Sequence, residues 1–184
     1  MTENAGGGAA QDLNRLDYWS FVELARERIV EKLDDTDPVA TKLVITLNRA
    51  ANLVVYDLES SVHRPRGLSW SAFRLLFVVW LAGPLESGRA AKLAGMSRAA
   101  VSNLSTTLIG KGMLRKNSSG ADGRTILLEL TDEGSDYARN AYRDQNMQEA
   151  RWASALTEVE QQVLVMLLEK LMSHRKEVGA RVRD

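Results

Sequence analysis

The stretch RAAKLAGMSRAAVSNLSTTLIGKGMLRK, residues 89–116, constrains the fold more tightly than any other part of the chain. A short helical segment near 87–94 is interrupted by Gly95, a second begins behind Ser97 and runs over 97–110, and Gly112 closes it. Helix, tight glycine turn and second helix together make a helix-turn-helix. Ala91 is small where the helices must cross, and Gly95 permits the turn. Ser97 is a good N-cap, and Val101 and Leu104 anchor the second helix. From Met113 the pattern turns β-prone. MLRK and TILLEL (125–130) are short β-type runs on either side of NSSGADGR, a polar, glycine-containing loop, which predicts a β-hairpin. Helical hairpins arise by chance, but one followed directly by a charged hairpin reads as a winged helix.

Around this module the periodicity is helical. Leu13, Leu16, Trp19, Val22, Leu24 and Ile29 predict a helix over 13–33, which DDTDP (34–38) ends. Asp37 and Pro38 form an N-cap with proline at the first helical position. The helix over 39–61 that follows carries Leu43, Leu47, Ala50, Ala51, Val54, Val55 and Leu58 on one stripe, and HRPRG (63–67) breaks it. Ser69 caps a helix over 70–81 that is apolar almost all round and should be buried. Beyond the hairpin, Thr131 caps a helix to about residue 151, with Asp132 and Glu133 at the positive end of its dipole. Thr157 and Glu160 spell a capping box for a last helix over 157–177, whose stripe is Val163, Leu164, Leu167, Leu168 and Leu171.

Charge is distributed unevenly. The formal net charge is zero, yet residues 64–125 hold ten Lys/Arg against two acids, whereas 12–37 and 129–160 each hold eight acids. A basic middle between acidic ends is the pattern of a polyanion-binding module within a scaffold, although a solvated basic face without a ligand has the same signature. The second helix of the pair separates the two readings. Its outward positions, Arg98, Ala99, Ser102, Asn103 and Thr106, are small or polar, and no acid occurs from Ser87 to Gly120. That suits a helix lying in a DNA major groove, with Ser97 at its start. Lys111, Arg115 and Lys116 flank its end, where the sugar-phosphate backbone should pass. An enzyme is not expected: there is no cysteine, only His63 and His174, and neither a phosphate loop nor an HExxH motif. For the same reasons no metal site and no cofactor is expected. The start of the chain has no basic n-region followed by an apolar run, and LLFVVWLAG (75–83) is too short to span a bilayer, so a cytoplasmic protein with no membrane contact is expected.

The order LSWSAFRLLFVVWL, then GRAAKLAGMSRAAVSNLSTTLIGKGMLRKNSSGADGRTILLELTDEG, resembles the MarR family of bacterial transcriptional regulators over about residues 39–176. IGKGML closing the second helix, Asp122-Gly123-Arg124 in the wing and LTDEG opening the next helix carry the resemblance. It implies a mainly α fold: a winged helix-turn-helix DNA-binding lobe with a two-stranded β wing, plus a helical dimerisation scaffold. It implies a homodimer that binds double-stranded DNA at a pseudo-palindromic operator, as a ligand-responsive repressor. The wing arginine, here Arg124, would enter the minor groove, and Asp122 would brace the wing by pairing with an arginine. The family's wing often carries a second arginine, which Thr125 replaces here, lowering the expected minor-groove affinity. The expected organisation is a disordered tail over 1–11, an N-terminal helical extension over 12–37, and a family domain over 38–178. Within that domain a winged helix (64–131) stands between dimerisation helices at 39–62 and 132–178.

Members of the family often bind small anionic aromatics, so a small anionic or aromatic effector is a further expected partner. The candidate residues are Trp19, His63, Trp70, Phe73, Arg74 and Phe77. An aromatic stripe at helical spacing serves equally well as core. Arg74 has two readings: an ion pair with Glu23, Asp57 or Glu59, or a counter-ion for a ligand carboxylate or phosphate. A winged helix used only for protein contacts is the alternative function, and it would carry apolar rather than small and basic residues on the second helix's outer face.

Overall fold

Helix termini in this chain lie where local chemistry stops them. In the computed structural model, which describes residues 17–119 and 125–180, the elements are α1 (Tyr18–Lys32), α2 (Pro38–Leu58), α3 (Trp70–Ala82), β1 (Leu85–Glu86), α4 (Ser87–Ala94), α5 (Arg98–Gly110), β2 (Leu114–Ser119), β3 (Thr125–Leu130), α6 (Asp132–Ala153) and α7 (Glu158–Ser173). Two units can be distinguished, Met1–Leu53 and Val54–Asp184. No helix among the described residues is long and apolar enough to cross a membrane.

In the first unit, Asp17 caps α1 by accepting from Ser20 N at 2.8 Å, and Asp37 caps α2 by accepting from Val39 N and Ala40 N, each at 2.9 Å. The expected helical residues 13–16 lie outside the described part. Among the described residues, contacts between the two helices include Lys42 Nζ to Glu23 Oε1 at 2.6 Å, the Arg49 guanidinium 5.1 Å from the centre of the Tyr18 ring, and Tyr18 Oη donating to Ile45 O at 3.4 Å.

The second unit departs from the sequence-based expectation at HRPRG. Instead of a break there, the chain stays helical, as a π turn over Glu59–His63 and a 3-10 turn over Arg64–Arg66. Pro65 has no N–H, and in an α-helix its ring would press on the carbonyl four residues back; widening the turn relieves that clash. The result is that Val62 and His63 point inward and are buried. α3 begins behind Ser69, whose side chain accepts from Ala72 N, and Leu75 and Leu76 on it are fully buried. They pack with Ala90 and Ala91 of α4, Val101 and Leu108 of α5, and Leu114 and Leu128 of the sheet. Each such leucine contributes about 1.5–3 kcal/mol by leaving water.

A second departure is the sheet. The wing has its two expected strands, β2 and β3, and the unexpected β1 extends their sheet in the order β1-β3-β2, all antiparallel. Leu85 faces Leu128 and Glu86 faces Leu127. Two residues are too few to show a period of two, and within GPLESG they read only as a turn. α6 starts behind Thr131, which accepts from Gly134 N at 3.0 Å while its hydroxyl donates to Gly112 O at 2.6 Å. A Cβ at Gly134 would collide with the backbone carbonyl of Met113, so that position requires glycine. The capping box of α7 forms as spelled: Glu160 accepts from Thr157 N at 2.8 Å.

Candidate nucleic-acid interface

The two helices of the helix-turn-helix meet at a glycine with φ of 62°. Gly95 N donates to Lys92 O and Met96 N to Ala91 O, which satisfies the last carbonyls of α4 and reverses the chain within two residues. A side chain other than glycine would be strained in that left-handed conformation. Arg74 completes the turn. Its guanidinium donates to Ala94 O at the negative end of the α4 dipole. This corrects the reading of Arg74 as an ion pair with Asp57 or Glu59. Asp57 instead accepts from Gln148 and Trp152, and Glu59 pairs with Arg64 at 2.9 Å. Arg74 is hydrogen-bonded to the turn rather than to Asp57 or Glu59.

α5 begins behind Ser97, whose hydroxyl oxygen accepts from Ala100 N at 3.2 Å. That oxygen serves as the cap while its O–H remains free to donate. Val101, Ser105 and Leu108 turn inward, and Arg98, Ala99, Ser102, Asn103 and Thr106 are exposed along the opposite face. Thr107 is exposed beside them, a position the sequence reading passed over although it follows Asn103 by one helical turn. Thr106 and Thr107 donate their hydroxyls to the Ser102 and Asn103 carbonyls, each at 3.1 Å, which leaves methyl groups and acceptor lone pairs outward. The face therefore offers one guanidinium, one carboxamide, one uncommitted serine hydroxyl and several methyls, the groups that read base edges in a major groove.

Beyond α5, Lys111 is exposed at the helix end. The strand register then separates two cations that the sequence reading had grouped. Lys116 pairs across the sheet with Leu128, on the face that carries Leu114 and Leu128 into the core with Leu108 of α5. Arg115 pairs with Glu129 on the opposite face. There Arg115 Nε and Nη2 donate to Glu129 Oε2 and Oε1 at 3.1 and 2.9 Å, and Asn117 Nδ2 donates to Oε2 at 3.0 Å. The Arg115 hydrogen bonds hold the Glu129 carboxyl below the usual carboxylate range, and the same contact raises Arg115. Asp122 and Arg124 lie outside the described residues.

The effector candidates fall in different places. Trp19 belongs to the first unit and is 65% exposed, its ring against the edge of Tyr18. His63, Trp70, Phe73 and Phe77 form a continuous ring series: His63 stacks on Phe73 at 4.2 Å, Trp70 lies 5.4 Å from His63, and Phe77 lies 5.8 Å from Phe73 and 5.1 Å from Tyr142 of α6. Phe73 and His63 are core, while Trp70 and Phe77 are half-buried. Gln145 donates to Glu149 at 2.6 Å, so its carbonyl oxygen faces His63 Nε2 at 3.1 Å and that nitrogen carries the proton. Nδ1 is then a bare acceptor, buried without a partner among the described residues. Burial depresses the imidazole below its ordinary pKa and holds it neutral.

No protein-family model matches the chain. It is 32% identical over 132 residues to YwaE of Bacillus subtilis strain 168, described as an uncharacterized HTH-type transcriptional regulator, spanning 72% of this chain and 77% of that protein. In fold it is similar to a MarR family transcriptional regulator from Silicibacter pomeroyi (TM-score 0.63, 21% identity, 73% of this chain and 90% of that one). It is similar also to BpsR of Bordetella bronchiseptica, whose DNA binding is regulated by 6-hydroxynicotinic acid (TM-score 0.63, 20% identity, 69% and 90%).

Proposed function

Because the chain belongs to the MarR family of winged helix-turn-helix transcriptional regulators, we propose that it binds a pseudo-palindromic DNA operator as a homodimer and represses transcription until a small anionic or aromatic effector binds. The observation that carries the operator reading is the outer face of α5: Arg98, Ala99, Ser102, Asn103 and Thr106 stand exposed together with no acid among them. Arg98 and Asn103 read bases, and Lys111 and Lys116 hold phosphates. Wing residues Asp122 and Arg124 take the roles the family resemblance implies.

Dimerisation is supported by apolar side chains left in water by a single chain. Val163, Leu164, Val165, Met166, Leu167, Leu171 and Met172 are exposed on α7, as are Trp19 and Phe21 on α1 and Val39, Leu43 and Val44 on α2. Exposed apolar surface of this extent on each of these helices marks an interface. The 39–62 and 132–178 helices then flank the winged helix of 64–131 as the dimerisation scaffold. The effector reading is supported by the half-buried Trp70 against the ring of His63, which carries an unpartnered acceptor, by the half-buried Phe77 beyond Phe73, and by BpsR, similar in fold, whose DNA binding is regulated by 6-hydroxynicotinic acid. The test is a gel-shift titration against random genomic DNA and against duplexes selected from it, repeated with a panel of aromatic acids and acyl-CoA thioesters. Tight binding to the selected duplexes, released by one member of the panel, supports the reading; equal weak binding to all duplexes contradicts it.

A further inference from the structure

The outer face of the wing holds a cation that the fold itself neutralises. Among the described residues of 87–119, Arg89, Lys92, Arg98, Lys111 and Lys116 have no carboxylate partner, whereas Arg115 is gripped by Glu129 through two hydrogen bonds. The two are directly opposite in the β2–β3 register, so the pair follows from backbone pairing. Asn117 reaches the same carboxylate from the next position on that face, which leaves Glu129 Oε2 with two donors. The Arg115 side chain is 59% exposed, and a pair so open to water adds little to stability. Its main consequence is therefore electrostatic. A guanidinium beside a carboxylate carries no net charge toward a phosphate, and it releases no counterion when DNA arrives.

Resting on the DNA-binding reading above, we infer that Glu129 limits the sequence-independent affinity for DNA: by cancelling Arg115 on the wing's outer face, it withholds one phosphate contact per subunit and lowers binding to DNA of any sequence. Lys111 and Lys116 supply the backbone contacts, and the ratio of operator to random binding is unchanged because the withheld contact is common to both.

The test is a double-mutant cycle read as the slope of log affinity against log salt, by fluorescence anisotropy on one selected and one random duplex. Glu129→Gln should bind both duplexes more tightly by a common factor and steepen the slope by about 0.9 per subunit. Arg115→Ala alone should leave the slope near that of the native chain. Arg115→Ala combined with Glu129→Gln should cancel the gain, and Glu129→Asp should behave as native. A slope lowered by about 0.9 per subunit in Arg115→Ala alone would overturn the inference, because Arg115 would then already be spent on a phosphate. So would Glu129→Gln binding no more tightly than native while keeping native circular dichroism. Should Glu129→Gln fail to fold, the single Arg115→Ala measurement still decides. If the native chain binds no duplex, the DNA-binding reading fails and takes this inference with it; a binding native chain with a lowered Arg115→Ala slope sinks the inference alone.

Discussion

Arg98, Ser102 and Asn103 hold the free hydrogen-bonding groups of the α5 face, because Ala99 offers only a methyl and Thr106 has donated its hydroxyl to its own helix. A good bidentate contact discriminates between bases by about 1–3 kcal/mol. Arg98→Ala and Asn103→Ala should each lower the operator-to-random affinity ratio by that amount while leaving random binding of Asn103→Ala nearly unchanged. A retained ratio in both would remove these residues from readout. His63 makes a different prediction. Its folded pKa is depressed, so the unfolded chain takes up the proton first as pH falls. The stability this group contributes is present above its unfolded value of about 6.5 and is lost below it. The thermal midpoint should fall between pH 7 and pH 5, and His63→Gln should flatten that dependence. An unchanged pH profile in His63→Gln would assign the acid loss to other groups. His63 stood out in the sequence, but what it does depends on a partner far along the chain: Gln145 lies 82 residues from it.

At the scale of elements, caps were the legible part. Ser69, Ser97, Thr131 and Thr157 each sit where a side-chain oxygen can take an orphan N–H, and each does so in the structure. Gly95 likewise marks its turn from sequence alone, since a tight reversal between two short helices favours glycine. Illegible were features set by contacts across the chain. β1 is two residues long and exists because β3 offers it an edge. The π turn answers a clash between Pro65 and its own preceding turn, which hydrophobic periodicity does not register. Arg74 looked like a stray charge on a buried helix until the α4 terminus came within its reach. Gly134 belongs with these: LTDEG names the glycine, but only the approach of Met113 O explains it. Gly134→Ala should therefore cost more than the roughly 1 kcal/mol typical of a point mutation, and should lower the thermal midpoint by several degrees. A midpoint within a degree of native would mean that α6 can shift away freely.

For the whole molecule, the question is what covers the apolar faces. α7 exposes Leu164 and Leu167 at about half their surface in a single chain, which a helix designed for water would not do. Sedimentation should find a dimer at micromolar concentration, and Leu164→Glu with Leu167→Glu should give a folded monomer with weakened operator binding. A native monomer would remove the palindromic operator along with the dimer. Symmetry makes the consequence geometric. Two recognition helices related by a two-fold axis address half-sites about 34–36 Å apart, or 10–10.5 base pairs. Selection of binding duplexes from a random pool, followed by sequencing, tests this most directly. The account predicts an enriched inverted repeat with half-site centres about one helical turn apart, whose enrichment Asn103→Ala abolishes. A pool that stays random after selection, or an enriched site without two-fold symmetry, would contradict it.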